Sequence, residues 1–185
     1  MTTFTRRRLL AAAMAPVALA ACGNGVGSAG SSRIDARVRA AQAFMFDTIP
    51  ETRDLAGKSA GMLMMPLVTE AGFGLGGAYG RGALMVNDVP VDYYSVANAT
   101  IGLQIGAQQY SHALFFMTQP ALRNFRASTG WVAGADLRYA VSTSTAALTT
   151  DTTTLLTPVV AVIFGQAGLI AGATLEGQKY TRILP

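Results

Sequence analysis

Apolar residues recur at every third or fourth position early in the chain; from Ser59 onward they gather into short unbroken runs. Ile34, Val38, Ala41 and Met45 fall on one side of a 3.6-residue turn, so a helix is predicted from residue 33 to about Thr48, with Ser32 and Asp35 at its start. Arg33 and Arg37 flank that stripe, while Arg39 and Phe46 share a different face. Pro50 interrupts the pattern, and Glu51 to Ala56 reads as a second short helical segment stopped by Gly57. The later runs, AGMLMMP, GFGLGGAYG, GALMV, DYYSVA, IGLQIGAQ and ALFFM, read as strands separated by glycines and turn residues, with Asn87-Asp88 as one turn. A helix interrupts them: Thr118 caps it, Pro120 lies in its first turn, Ala121, Leu122 and Phe125 form its face, and Gly130 falls beyond its end. WVAGADLRYAV, PVVAVIFG, GLIAGATLEG and YTRIL continue the strand-like material, and the Ser/Thr-rich residues 142–157 read as a polar excursion. The predicted class is α+β: a mostly antiparallel or barrel-like sheet, an N-terminal amphipathic helical segment and one inserted helix.

The first residues belong to targeting rather than to the fold. Arg6, Arg7 and Arg8 precede thirteen apolar or small residues, Leu9 to Ala21, which is short of the roughly 20 needed to span a bilayer as a helix. A charged start, a short apolar core and small residues at its end make a secretory signal over residues 1–21. Thr5-Arg6-Arg7-Arg8-Leu9-Leu10 resembles the twin-arginine export signal, with an ordinary secretory signal as the alternative. Leu19-Ala20-Ala21-Cys22 resembles the bacterial lipobox, which implies acylation of Cys22. Two or more acyl chains give stable membrane attachment. Residues 22–32 then read as the lipidated cysteine with a flexible tether, and 33–185 as one domain. The expected location is a bacterial cell envelope, and Gly23 after the cysteine favours the outer membrane by the rules of enteric bacteria.

Charge adds little once the signal is set aside. The chain carries 14 Lys and Arg against 10 Asp and Glu, and losing Arg6, Arg7 and Arg8 leaves 11 against 10. That balance does not support a nucleic-acid partner, which calls for clustered basic charge. A single cysteine excludes an internal disulfide, and one histidine with scattered acids offers no metal site. No cofactor is expected. Gly72, Gly74 and Gly77 spell G-x-G-x-x-G, but no helical periodicity follows, so no nucleotide site is expected. Gly57-Lys58-Ser59 imitates the end of a P-loop, yet Thr52 stands where its first glycine belongs. Gly57, Ser59 and Gly61 also spell the nucleophile-elbow pattern, but they follow a helical segment rather than a strand, and His112 lies in an apolar run.

Longer stretches carry a more specific signal. GMLMMP, EAGFGLGGAYGRGALMV, YYSVANATIGLQIGAQQYSHALFFMT, ALRNFRASTGW, DTTTLLTPVVAVIFGQAGLIAG and TLEGQKYTRI, taken in this order, resemble the SYLF domain family over about residues 35–185. The resemblance implies that the glycine-rich run belongs to a β framework, and that the domain binds phospholipid without enzymatic activity. Eukaryotic relatives bind phosphoinositides and in some cases actin filaments; a bacterial envelope protein is expected to meet other phospholipids, anionic ones among them.

The resemblance also implies membrane contact through the helical N-terminal part, matching residues 33–57 here. Basic residues beside an apolar face suit a membrane interface, which nominates Arg33, Arg37, Arg39, Met45 and Phe46, with Arg53 and Lys58 behind them. The competing expectation is that the apolar stripe packs on the sheet. Two other functions stay open at this level: a structural or scaffolding lipoprotein that binds another envelope protein or itself, and a serine hydrolase using Ser59.

Overall fold

A computed structural model describes residues 27–134, 138–141, 157–168 and 175–185. The signal segment, Cys22, the first part of the tether and the Ser/Thr-rich residues 142–156 lie outside them. The described elements run α1 (Ala29–Thr48), α2 (Thr52–Lys58), β1 (Gly61–Val86), β2 (Val89–Phe116), α3 (Gln119–Ala127), β3 (Trp131–Val132), β4 (Arg138–Val141), β5 (Val159–Gly168) and β6 (Lys179–Ile183). The α+β class holds, with most of the regular structure in one sheet.

The first helix begins earlier than its apolar stripe suggests. Ser28 caps it by accepting from the Ser31 N–H at 3.0 Å, and its hydroxyl donates to the Pro185 carbonyl at 2.9 Å. Residues 29–32 are therefore the first turn of α1 and not tether, because Ser28 satisfies an amide that the helix start would otherwise leave open. The stripe itself behaves as expected: Ile34, Val38 and Met45 are buried.

The larger departure concerns the strands. The six runs between residues 60 and 117 are not separate strands but one hairpin of two long ones, β1 and β2, paired antiparallel from Gly61↔Phe116 to Val86↔Val89. Isolated glycines inside a strand bend it rather than end it, and register shifts at Met65/Val68, Phe73/Leu75 and Leu84/Met85 absorb the curvature. The hairpin turns at Asn87-Asp88, where both residues take positive φ (50° and 60°), the backbone of a two-residue hairpin loop.

The hairpin is also folded over on itself. A Cβ on Gly82 would lie 2.0 Å from the Met64 carbonyl oxygen, and one on Gly80 would lie 2.7 Å from that of Leu67. The two halves of β1 thus meet where the GGAYGRG segment has no side chains to hold them apart, and the sheet curls into a half-barrel. On its other edge β2 pairs with β6 through Tyr93–Ala97 and with β5 through Gln108–Phe116. One pair breaks the antiparallel rule: β4 lies parallel to β5.

Both faces of the sheet are covered around Met62–Met65, Ala83–Met85 and Ala113–Phe116, which is why those stretches read as continuous apolar runs, whereas at Leu67–Thr69 and Gly77–Arg81 exposed and buried residues alternate. Met62, Met64, Ala83, Met85, Ala113 and Phe115 pack beneath α1 and α2 with Val38, Met45 and Leu55. Leu63, Met65, Leu84, Tyr94, Leu114 and Phe116 face the inside of the curl. There α3 closes the space with Phe125, whose ring lies 4.7 Å from Tyr94 and 4.6 Å from Phe116. Thr118 caps that helix as predicted, accepting from the Ala121 N–H at 3.2 Å. Thr118→Ala is expected to cost about 1 kcal/mol, read as a lowered urea midpoint with an unchanged slope.

Candidate functional site

The N-terminal half of α1 crosses the outer face of β1 and leaves a groove of about 290 Å³ between them. Arg33 and Arg37, one helical turn apart, lie on the side of α1 next to the buried stripe and line one wall. The other wall is β1. Tyr79 and Arg81 point outward there, because their strand neighbours Ala78, Gly80 and Gly82 belong to the inner face. Leu67 and Tyr79, 42% and 55% exposed, give the groove an apolar lip.

Three guanidinium groups in one groove would ordinarily attract acidic partners from the protein itself. Among the described residues the salt bridges are Arg53–Asp47, Arg126–Asp92 and Arg182–Asp92, and none involves Arg33, Arg37 or Arg81. The nearest acids along the chain are engaged elsewhere. Asp35 accepts from the Tyr93 hydroxyl at 3.0 Å, and Glu70 accepts from the Gln108 amide at 2.8 Å. Burial first, and then the bond to Asp35, raises the Tyr93 pKa above its ordinary value, so this link stays protonated and intact through neutral pH.

The structure divides the remaining nominated residues. Arg39 falls on the opposite flank of α1, on the Asp35–Tyr93 side, because two residues, about 200° of helical rotation, separate it from Arg37. Met45 is fully buried and is corrected to a core residue: its side chain packs under the helix and presents nothing to a membrane. Phe46 and Arg53 meet at a second cleft of about 370 Å³, between the end of α1, α2 and the hairpin turn. Arg53 pairs with Asp47 at 2.9 Å and lies over the Phe46 ring at 5.1 Å, so its charge is already answered locally. Lys58 is exposed in the last turn of α2. Leu67, Tyr79 and Arg81 were not legible as site residues. Outward alternation within the glycine run marks Tyr79 and Arg81 as surface positions, but only the tertiary fold lays α1 beside them.

The interior of the half-barrel holds a second polar cluster. His112 Nε2 hydrogen-bonds the Tyr180 hydroxyl at 2.8 Å, Tyr180 donates to Gln178 Oε1 at 3.3 Å, and the Gln178 amide donates to Tyr110. His112 is fully buried, and desolvation pushes its pKa down to about 3, so the ring is neutral in the folded protein. Ser59 gives its hydroxyl to the Ala56 carbonyl at 3.0 Å. The Ser59–His112 pairing that a hydrolase would require is not formed. Among the described residues there is no cluster of three His, Cys, Asp or Glu able to hold a metal, and no helix long and apolar enough to cross a membrane.

Comparison with known proteins gives one family. Residues 97–182 match the model described as Ysc84: Las17-binding protein actin regulator. No curated protein matches the chain. The matched residues contain the second part of β2, α3 and β6, and with them the interior cluster of Tyr110, His112, Gln178 and Tyr180; the arginine groove lies N-terminal to them. Residues 97–182, just under half of the chain, thus match the Ysc84 family, the SYLF domain.

Proposed function

We propose that the protein is a non-enzymatic phospholipid-binding module of a bacterial cell envelope, attached through acylated Cys22 and touching anionic headgroups with the groove between α1 and β1. One observation carries the reading: Arg33, Arg37 and Arg81 line a single groove without an acidic partner among the described residues, and exposed Leu67 and Tyr79 stand at its lip. Basic residues close to an anionic membrane surface contribute about 1 kcal/mol each, and apolar side chains beside them enter the headgroup region. The same groove would be a poor surface for a nucleotide or nucleic acid, having no aromatic stacking platform beyond Tyr79. The sequence supplies the rest of the reading: the lipobox-like Cys22 provides the anchor and the signal segment the export route.

Liposome flotation of protein lacking residues 1–22 tests it. Binding to anionic vesicles is expected, weakening with salt, and Arg37→Glu is expected to reduce it by roughly tenfold or more, since reversing one charge near the surface changes two such contributions. Arg53→Glu, outside the groove, serves as the comparison. Wild-type protein found only at the bottom of the gradient would overturn the reading. It would assign all membrane attachment to Cys22 and the domain's role to a protein partner.

A further inference from the structure

The outward side of α1 holds an arrangement that neither the groove nor the core uses. Ala29, Arg33, Ala36, Ala40, Ala43 and Asp47 are all exposed and follow one another at alternating steps of four and three. That spacing is the seam of a two-helix coiled coil. A helix packed on one side ordinarily turns charged and polar side chains to water along its other face; here charge is confined to Arg33 and Asp47, near opposite ends of the seam. Phe44 stands beside the seam, 53% exposed, its ring stacked on Phe164 at 6.2 Å.

The charges choose the occupant. Arg33 has no acidic partner among the described salt bridges, and Arg53 engages only Oδ1 of Asp47. Arg33 and Asp47 each lie seven residues from Ala40, and Ala36 and Phe44 each lie four from it. A second α1 running the opposite way, with Ala40 against Ala40, therefore sets each Arg33 level with the other copy's Asp47 and each Phe44 level with the other's Ala36. A parallel copy would oppose like charges at both positions. Small side chains at the crossing let the two axes approach at the near end of the usual range of about 8–10 Å.

We infer that the outward face of α1 is a self-association surface, on which two copies of the chain pair antiparallel about a two-fold axis at Ala40. The contact is isologous, so it closes as a dimer and does not propagate. One helix pair is a small interface, which places the dimer among weak, reversible associations. The inference goes beyond the membrane reading and does not rest on it.

The test uses the full chain carrying Cys22→Ala, in the absence of lipid, followed by sedimentation equilibrium from micromolar to millimolar concentration. A monomer–dimer equilibrium is expected. Arg33→Asp is expected to weaken it by roughly tenfold or more, because symmetry repeats each lost pair and each new repulsion. The exchange Arg33→Asp with Asp47→Arg should restore it, and Ala40→Glu should abolish it. Arg81→Gln, in the groove but off the seam, should leave it unchanged. In the same background Ala40→Cys should form a disulfide-linked dimer on mild oxidation, whereas Ala127→Cys, exposed at the end of α3, should not. All the altered residues are exposed, and a melting curve for each variant shows that folding is retained. A monomer at every concentration overturns the inference. So does a dimer that is indifferent to Arg33→Asp and Ala40→Glu, which would assign association to another face.

Discussion

Alanine at position 82 is expected to cost about 3 kcal/mol or more and to leave little folded protein, a penalty at the top of the range for overpacked sites. The added methyl would stand 2.0 Å from the Met64 carbonyl oxygen, 2.6 Å from Met65 Sδ and 2.9 Å from the Met64 carbonyl carbon. Two of those three atoms are backbone, and that backbone is held: Met64 pairs with Ala113 and Gly82 with Tyr94 in the same hairpin. No rotamer change relieves the overlap, so the two halves of β1 must separate. Gly57→Ala is the matched contrast. It adds the same methyl inside α2, where no atom lies within 4 Å, and it is expected to stabilise by roughly 0.5–1 kcal/mol through helix propensity. Urea unfolding of both variants checks the pair. A wild-type midpoint for Gly82→Ala would show that the halves of β1 do not approach as described.

The second large effect is on acid stability. His112 is neutral in the folded protein with a pKa of about 3, whereas an exposed histidine in the unfolded chain titrates near 6.5. Between those values the unfolded state binds a proton that the folded state refuses. Stability is therefore fully present above about pH 6.5 and falls as pH drops toward 3, with a limiting slope of about 1.4 kcal/mol per pH unit from this one group. His112→Gln isolates the histidine, because glutamine carries no titrating group and can still reach the Tyr180 hydroxyl by hydrogen bonding. The variant is expected to be less stable than wild type at pH 7.5 but to lose much less between pH 6.5 and 4.5. Parallel stability curves for the two proteins over that interval would sink the assignment.

These two residues also mark how far the sequence could be read. The stripe of Ile34, Val38 and Met45 fixed the first helix and its buried side, since a 3.6-residue period is a local signal. Thr118, Pro120 and Phe125 placed α3 almost to the residue, because caps and first-turn proline act within a few positions. Asn87-Asp88 marked its turn for the same reason. What failed was the length of the strands. Glycines between apolar runs read as breaks, but Gly80 and Gly82 sit inside one strand, where a distant segment of the same strand passes against them. The groove was half legible. Arg33 and Arg37 follow from the flank of α1, but Arg81 joins them only through the fold, and Arg39, Phe46 and Arg53 are carried elsewhere by helix rotation and a local ion pair. His112 looked structural from its apolar neighbours, and its burial agrees.

The hairpin's two apolar faces have a consequence for how its register is kept. In most sheets a slip of one residue turns an apolar face to water, and that penalty alone holds the alignment. Around Gly61–Met65 and Ala113–Phe116 such a slip would exchange one buried face for another, so there hydrophobicity scarcely distinguishes right from wrong. The distinction must come from shape: Gly80 and Gly82 fit only the inward side, where Met64 and Leu67 approach, while Tyr110 and His112 need their polar partners Gln178 and Tyr180. The two-residue turn at Asn87-Asp88 then acts as the zero mark from which every pair of β1 and β2 is counted. A residue inserted there would change little at the end of the hairpin that is buried on both faces and yet set Gly80, Gly82 and the Tyr110 hydroxyl one step away from the partners they fit.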